Sequence, residues 1–144
     1  MKIAVIPDTQ VKPGIDLSYL VNIGEYILEK RPDVIVHLGD HWDMPSLSSY
    51  DIGKRQFEGR RYKNDIEAGN QAMSNLLWPI NSYNKRAAAN KKARYSPRKI
   101  FLMGNHENRI NRAVDGDPKL EGTIGIQDLD LKGWEVYDFL DVLS

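Results

Sequence analysis

Residues Asp33–Asp43 read DVIVHLGDHWD, and this stretch decides the fold. A short and almost continuous apolar run, Asp33–Leu38, ends in the pair Gly39-Asp40. Runs of this length and composition are typical of strands that are buried on both faces of a sheet. The pattern therefore predicts a buried strand that leads directly into an acidic loop.

The same pattern occurs on either side of this stretch. Lys2–Pro7 (KIAVIP) is followed by Asp8, and Lys99–Met103 (KIFLM) is followed by Gly104-Asn105. Between the first two runs, apolar residues from 17 to 28 recur at helical spacing, and Arg31-Pro32 ends the helix. A strand, a helix and a strand over about 35 residues form a βαβ unit with parallel strands and a right-handed crossover. The fold class is therefore predicted to be α/β.

The remaining elements are less regular. Residues 65–94 have helical spacing, and Pro79 is expected to kink or split that helix. The other predicted elements are a loop over 45–61, a short helix over 107–114, a loop over 115–125 and a fourth strand over 134–140.

Length and composition set the class of protein. The chain has 144 residues, of which 41% are hydrophobic, so we expect one globular domain over 1–144. It has no cysteine, which excludes a disulfide scaffold, a thiolate zinc site and a cysteine nucleophile. No apolar run is long enough for a membrane helix or a secretory leader. We therefore expect no membrane association and a cytoplasmic location.

Oxygen donors follow the three predicted strands. Asp8, Asp40 and Asn105 each stand at a strand end, and His106 follows the last of them. Ligands of α/β sheets bind beyond the carboxyl ends of the strands, where these side chains are expected to converge. Two carboxylates and an amide oxygen repel one another unless a cation lies between them. Oxygen and imidazole ligands together suit Mn, Fe or Zn.

Three motifs here resemble those of calcineurin-like metallophosphoesterases. Asp8-Thr9-Gln10 resembles D-x-H, Gly39–Asp43 resembles G-D-x-x-D, and Gly104–Glu107 resembles G-N-H-[DE]. The three motifs occur in the family's order and each follows an apolar run, over roughly residues 1–110. The resemblance implies a mixed sheet flanked by helices, as the N-terminal part of an αββα sandwich.

The resemblance also implies a reaction and a set of roles. Asp8 and Gln10 correspond to ligands of a first divalent metal ion, Asp40 to a ligand shared by two ions, and Asn105 to a ligand of the second. His106 corresponds to the group that protonates the leaving oxygen, and Asp43 to the residue that orients its ring. The implied activity is hydrolysis of a phosphomonoester or phosphodiester by a metal-activated water.

Two departures from the family pattern affect this expectation. Gln10 replaces the usual histidine, so the first metal ion is expected to be held more weakly. The family also has further histidines downstream, in a lone His and a G-H-x-H motif, whereas no histidine follows His106 here. We therefore expect an incomplete domain, completed by a missing C-terminal half or a second chain, and exposed apolar sheet that favours self-association. A truncated remnant without catalytic activity is the alternative.

The charge distribution indicates a different kind of partner. Residues 54–99 carry twelve Lys and Arg but three Asp and Glu, although the whole chain has no net charge. This region is either a solvated helix face or a track for DNA or RNA. Tyr62, Tyr83 and Tyr95 lie in it and are candidates for stacking on bases. A nucleic-acid-binding module is therefore a second alternative function.

Other residues near the motifs have two readings each. His37 is expected to be a buried structural histidine, and Trp42 a packing residue. His41 faces either substrate or solvent, and Arg109 either contacts a substrate phosphate or lies on a solvated helix face. Glu107 either forms a hydrogen bond behind the predicted metal ligands or favours a helix N-terminus.

Overall fold

A computed structural model describes residues 1–47 and 59–141 of the chain, with the side chains of 59 and 60 not considered. Four strands and three longer helices alternate in an α/β arrangement, which confirms the predicted class. The strands are β1 (Ile3–Ile6), β2 (Val34–His37), β3 (Arg98–Leu102) and β4 (Glu135–Tyr137). The helices are α1 (Ser18–Lys30), α2 (Gly59–Ala89) and α3 (Asn108–Gly116), with short 3-10 turns at Pro45–Leu47, Pro118–Leu120 and Ile126–Asp128.

The sheet has the order β1-β2-β3-β4, and every neighbouring pair is parallel. A mixed sheet was predicted, whereas the sheet formed by the described residues is wholly parallel. Ile6 lies opposite His37, which in turn lies opposite Phe101. The loops that follow β1, β2 and β3 therefore leave from one end of the sheet, which we call the carboxyl edge.

Helix α2 differs from its predicted form. It extends from Gly59 to Ala89 without a break at Pro79, so the predicted split is wrong. Pro79 is buried against α1, where Gly24 meets the Leu76 carbonyl and the proline ring so closely that a Cβ would overlap them. Packing of the two helices holds α2 together at a residue that local propensity disfavours. The predicted 45–61 loop lies largely outside the described residues.

The core lies on one face of the sheet. Ile6, Ile35 and Phe101 are buried together with residues of α1 and α2 such as Leu20 and Met73. The opposite face is open at β1, where Ile3 and Val5 are 53% and 57% exposed. The sheet is therefore covered on one side at this strand, although its apolar composition suits burial on both. Among the described helices, none has the length and apolar character needed to cross a membrane.

Candidate functional site

The loops after β2 and β3 meet at Asp40. Gly39 and Asp40 both have positive φ, 88° and 53°, which turns the chain sharply out of β2. The Asp40 carboxylate then accepts a hydrogen bond from the backbone N–H of His106 at 2.8 Å. Gly104 lies so close that a Cβ at this position would overlap the Asp40 carboxylate. The G-D-x-x-D and G-N-H-E motifs are therefore in direct contact.

Glu107 holds the two loops together from beneath. Its carboxylate accepts backbone N–H groups from Asp40 at 2.7 Å, Trp42 at 2.8 Å and Gly104 at 2.9 Å. The side chain is fully buried, and burial raises the pKa of Glu107 to about 7, while the three donors act in the opposite direction. The hydrogen-bonding role predicted for this residue is confirmed, and Glu107 also stands at the N-terminus of α3, where its side chain makes no capping hydrogen bond.

His106 and Asp43 form the second pair at this edge. Nδ1 of His106 lies 2.7 Å from Oδ1 of Asp43, a close contact without hydrogen-bond geometry. Arg109 donates to the carbonyls of Asp43 and Met44 at 3.0 and 3.4 Å. It thereby anchors the loop that carries Asp43.

The loop that carries Asp8 and Gln10 lies beside the loop that carries Asp40. The backbone N–H of Gln10 donates to the Asp40 carbonyl at 2.8 Å, which places the loop after β1 beside the loop after β2. The side chains of Asp8 and Gln10 are exposed, and neither has a hydrogen-bond partner among the described residues. The side-chain oxygen of Asn105 accepts from Arg112 at 2.8 Å. The sequence motifs did not point to this arginine.

The donor types at this edge fit a hard divalent cation, because Asp8, Gln10, Asp40 and Asn105 all offer side-chain oxygens. The Asn105 oxygen accepts one hydrogen bond from Arg112 and keeps a second lone pair for a cation. Within the described residues, no three His, Cys, Asp or Glu side chains are grouped so that they could hold a metal ion. A cation here would therefore depend on the amide oxygens of Gln10 and Asn105, whereas the family's D-x-H motif offers an imidazole in place of Gln10.

A buried hydrogen-bond chain supports the site from the core side. The N–H of Gly39 donates to Nδ1 of His37 at 3.0 Å, so Nε2 carries the proton and donates to the Thr9 hydroxyl at 3.2 Å. Thr9 in turn donates to Nδ1 of His41 at 2.6 Å. Nε2 of His41 then donates to the Gly69 carbonyl at 2.9 Å. Every polar group of this chain is satisfied while both imidazoles are neutral.

Burial explains the titration behaviour of both rings. Both histidines are fully buried. Burial lowers the pKa of His37 to about 3, with the neighbouring His41 as a smaller cause, and lowers the pKa of His41 to about 4. The structural role predicted for His37 is confirmed, as is packing for the fully buried Trp42. The expectation that His41 faces substrate or solvent is wrong, and no local signal distinguished it from an exposed motif residue.

Comparison with known proteins identifies the family of the chain. A sequence model of the calcineurin-like phosphoesterases matches residues 1–144. The chain belongs to this family. Calcineurin-like phosphoesterases are, as a family, hydrolases of phosphate esters.

Two curated relatives come from bacteriophages. The gene 54 proteins of Mycobacterium phages D29 and L5 are 37% and 39% identical to the chain over 79 residues. This match covers 55% of the chain and 29% of each relative, so the similarity spans less than a third of the relatives' length. No solved structure matches this calcineurin-like phosphoesterase chain.

Proposed function

We propose that the chain is a metal-dependent hydrolase that cleaves a phosphomonoester or phosphodiester at the carboxyl edge. The proposal rests on one observation: Asp40 and the His106–Asp43 pair lie at the same edge of the sheet. Asp40 and His106 are 66 residues apart in sequence and are joined there by a hydrogen bond. A carboxylate able to hold a cation beside an imidazole able to give up a proton is what hydrolysis of a phosphate ester requires.

Each residue has a defined task in this proposal. Asp8 and Gln10 would hold a first divalent ion, Asp40 would contribute to both sites, and Asn105 would contribute to the second. Bound divalent ions would neutralise phosphoryl charge and lower the pKa of a coordinated water. His106 donates a proton to the leaving oxygen, and Asp43 orients the ring and stabilises its charged form.

The oxygen-rich donor set bears on the choice of metal. The chain has three histidines, and two of them, His37 and His41, are engaged in the buried hydrogen-bond chain. His106 is therefore the one imidazole available at the carboxyl edge. Among Mn, Fe and Zn, we propose Mn, because carboxylate and amide oxygens suit it better than they suit Zn.

The test is hydrolysis of bis(p-nitrophenyl) phosphate and p-nitrophenyl phosphate with Mn²⁺, with Fe²⁺ or Zn²⁺, and with EDTA. Activity should need the metal, and Asp40→Asn should lower it by more than the roughly 10–100-fold that loss of an outer-shell partner costs. Asp115→Asn is the matched control, because Asp115 is exposed on α3. The ratio of the two substrates distinguishes a diesterase from a monoesterase.

Two results would contradict the proposal. If the wild type and Asp40→Asn are equally inactive with every metal, the chain is a non-catalytic remnant of the family. If activity survives EDTA and is unchanged in Asp40→Asn, the reaction does not take place at this site. Gln10→His adds a further check, since restoring the family's histidine should tighten Mn²⁺ binding measured by calorimetry.

A further inference from the structure

A cluster of cations lies at the end of α2 and in the turn that follows it. Its members are all exposed, and none pairs with an acidic side chain among the described residues. We call this group the basic cluster, and it consists of Lys85, Arg86, Lys91, Lys92 and Arg94. Solvated lysines are common on helices. The position and surroundings of the cluster must therefore show whether it is a binding surface.

The basic cluster lies at the end of the sheet opposite the candidate active site. Near its start, α2 contacts the carboxyl edge, where Asp65 accepts from Ser46 and Gly69 accepts from His41. Helix α2 ends where the chain turns back to begin β3 at Arg98. From Gly69 to Arg86 the helix rises by about 25 Å. A ligand held by the basic cluster is therefore remote from Asp40 and His106.

The turn that carries the cluster is fixed to the core. The side chain of Asn84 bonds both the N–H and the carbonyl of Tyr95, at 2.8 and 2.7 Å. The Tyr95 hydroxyl donates to the Pro32 carbonyl at 2.6 Å, and the Arg31 guanidinium lies 4.5 Å from the Tyr83 ring centre. These contacts hold the backbone around the cations in place, so less entropy is lost when they bind an extended anion.

The acidic groups at this end of the sheet are largely engaged. Asp33 accepts from the backbone N–H of Lys2 at 2.7 Å, and Glu135 pairs with Arg98. Glu29, on the last turn of α1, remains exposed. Five cations of the basic cluster face the carboxylates of Asp33 and Glu29, so the local charge is positive although the whole chain is neutral.

Two of the three tyrosines of this region are not free to stack on bases. Tyr62 and Tyr95 are buried, and Tyr62 donates to Asp128. The prediction of base stacking is therefore wrong for these two residues. Tyr83 is partly exposed and carries Arg31 over its ring. Contacts from the basic cluster can reach phosphates instead, and such contacts fix a nucleic acid without reading its sequence.

We propose that the basic cluster docks the phosphate backbone of a nucleic acid. The cluster lies at the far end of the sheet from Asp40. It would therefore hold the nucleic acid at a distance from the candidate active site, as a tether, and would not position the scissile bond. The proposal does not depend on the hydrolysis proposed above. It predicts binding that is insensitive to base sequence and falls steeply with salt.

The test is fluorescence anisotropy with a fluorescein-labelled DNA duplex across a range of NaCl concentrations. Each phosphate contact contributes about −0.9 to the slope of log K against log salt, so five contacts give about −4.5. The triple variant Lys85→Ala, Lys91→Ala, Lys92→Ala should bind more than about tenfold more weakly at low salt. The control triple variant, Lys63→Ala, Lys119→Ala, Lys132→Ala, removes the same charge from exposed positions elsewhere and should bind like the wild type.

Several outcomes would overturn the proposal. Equal losses in the two triple variants would mean that total charge and not this surface governs binding. A salt slope near zero would exclude phosphate contacts. Displacement of the duplex by polyglutamate of equal charge as readily as by unlabelled DNA would indicate an acidic protein partner. Loss of DNA binding in Asp40→Asn would place the DNA at the carboxyl edge instead, whereas unchanged binding supports the tether.

Discussion

At the scale of single residues, Glu107 sets the geometry of the candidate site. Its buried carboxylate joins the backbone of Asp40 and Trp42 to that of Gly104, and no water-exposed group can replace it there. Both motif loops are turned by residues with positive φ or by glycine, which leaves their N–H groups pointing inward. Acceptors for those N–H groups are therefore a requirement of the fold, because a buried backbone donor without a partner is costly.

Replacing Glu107 with glutamine tests this role. The amide presents N–H groups where the carboxylate presented an acceptor, so at least one backbone donor loses its partner. We expect the free energy of unfolding to fall by about 2 kcal/mol or more at pH 8. Urea unfolding measures it, with Glu25→Gln on the exposed face of α1 as the control, expected within about 0.5 kcal/mol of wild type. Equal stability of the two variants would contradict the assigned role.

At the scale of elements, a chain of buried hydrogen bonds joins the ends of β1 and β2 to α2. It runs from His37 through Thr9 and His41 to Gly69. Three elements that are distant in sequence share one line of hydrogen bonds beneath the candidate site. The line is complete while both rings are neutral, since a second proton on either ring would remove an acceptor.

This line predicts acid sensitivity of the fold. With pKa values of about 3 and about 4, His37 and His41 stay neutral in the folded chain, whereas in the unfolded chain they take up protons below about 6.5. Their contribution is present above pH 6.5 and is lost as the pH falls toward 4. From pH 7 to pH 5 we expect a loss of about 2 kcal/mol for each ring. Urea unfolding at the two pH values measures this loss.

The comparison with His41→Gln isolates the effect. Glu107 acts in the opposite sense between pH 4.5 and about 7, because its raised pKa favours proton uptake in the folded state, and it does so in both proteins. Between pH 7 and pH 5 the variant should therefore lose about 2 kcal/mol less stability than the wild type, which is the contribution of one ring. Independently, the ring C–H resonances of His37 and His41 should not shift between pH 7 and pH 5. Titration of either ring near pH 6.5 would contradict the buried network.

At the scale of the whole molecule, the sheet is covered unequally. Helices α1 and α2 pack on the face that holds Ile35 and Phe101, whereas Ile3 and Val5 on the other face are more than half exposed. β1 is also an edge strand. Apolar side chains in a row on an edge strand favour association with another surface.

We predict that the chain self-associates through this face. The weight-average mass from analytical ultracentrifugation should rise with concentration, and Ile3→Thr combined with Val5→Thr should lower that dependence. Val21→Thr is the control, because Val21 is partly buried on α1 and away from the open face. A monomer at every concentration, or equal association in all three proteins, would contradict the prediction.

The sequence by itself determined the elements and the edge at which chemistry is expected. Short apolar runs that end in Asp or in Gly-Asp and Gly-Asn were enough to predict β1, β2 and β3, and the helix between the first two predicted their parallel pairing. They also predicted that Asp8, Asp40 and Asn105 leave the sheet at one end. These features can be predicted from local sequence, because the burial of a strand and the polarity of the loop after it both depend on consecutive residues.

Only the tertiary structure decided which residues of remote segments contact one another. The continuity of α2 through Pro79 depends on packing against Gly24. The partners of Glu107, the engagement of Asn105 by Arg112 and the burial of His41 each depend on side-chain geometry that spacing does not encode. The physical reason is that hydrogen bonds and close packing depend on distances between atoms of remote segments, and those distances exist only once the chain has folded.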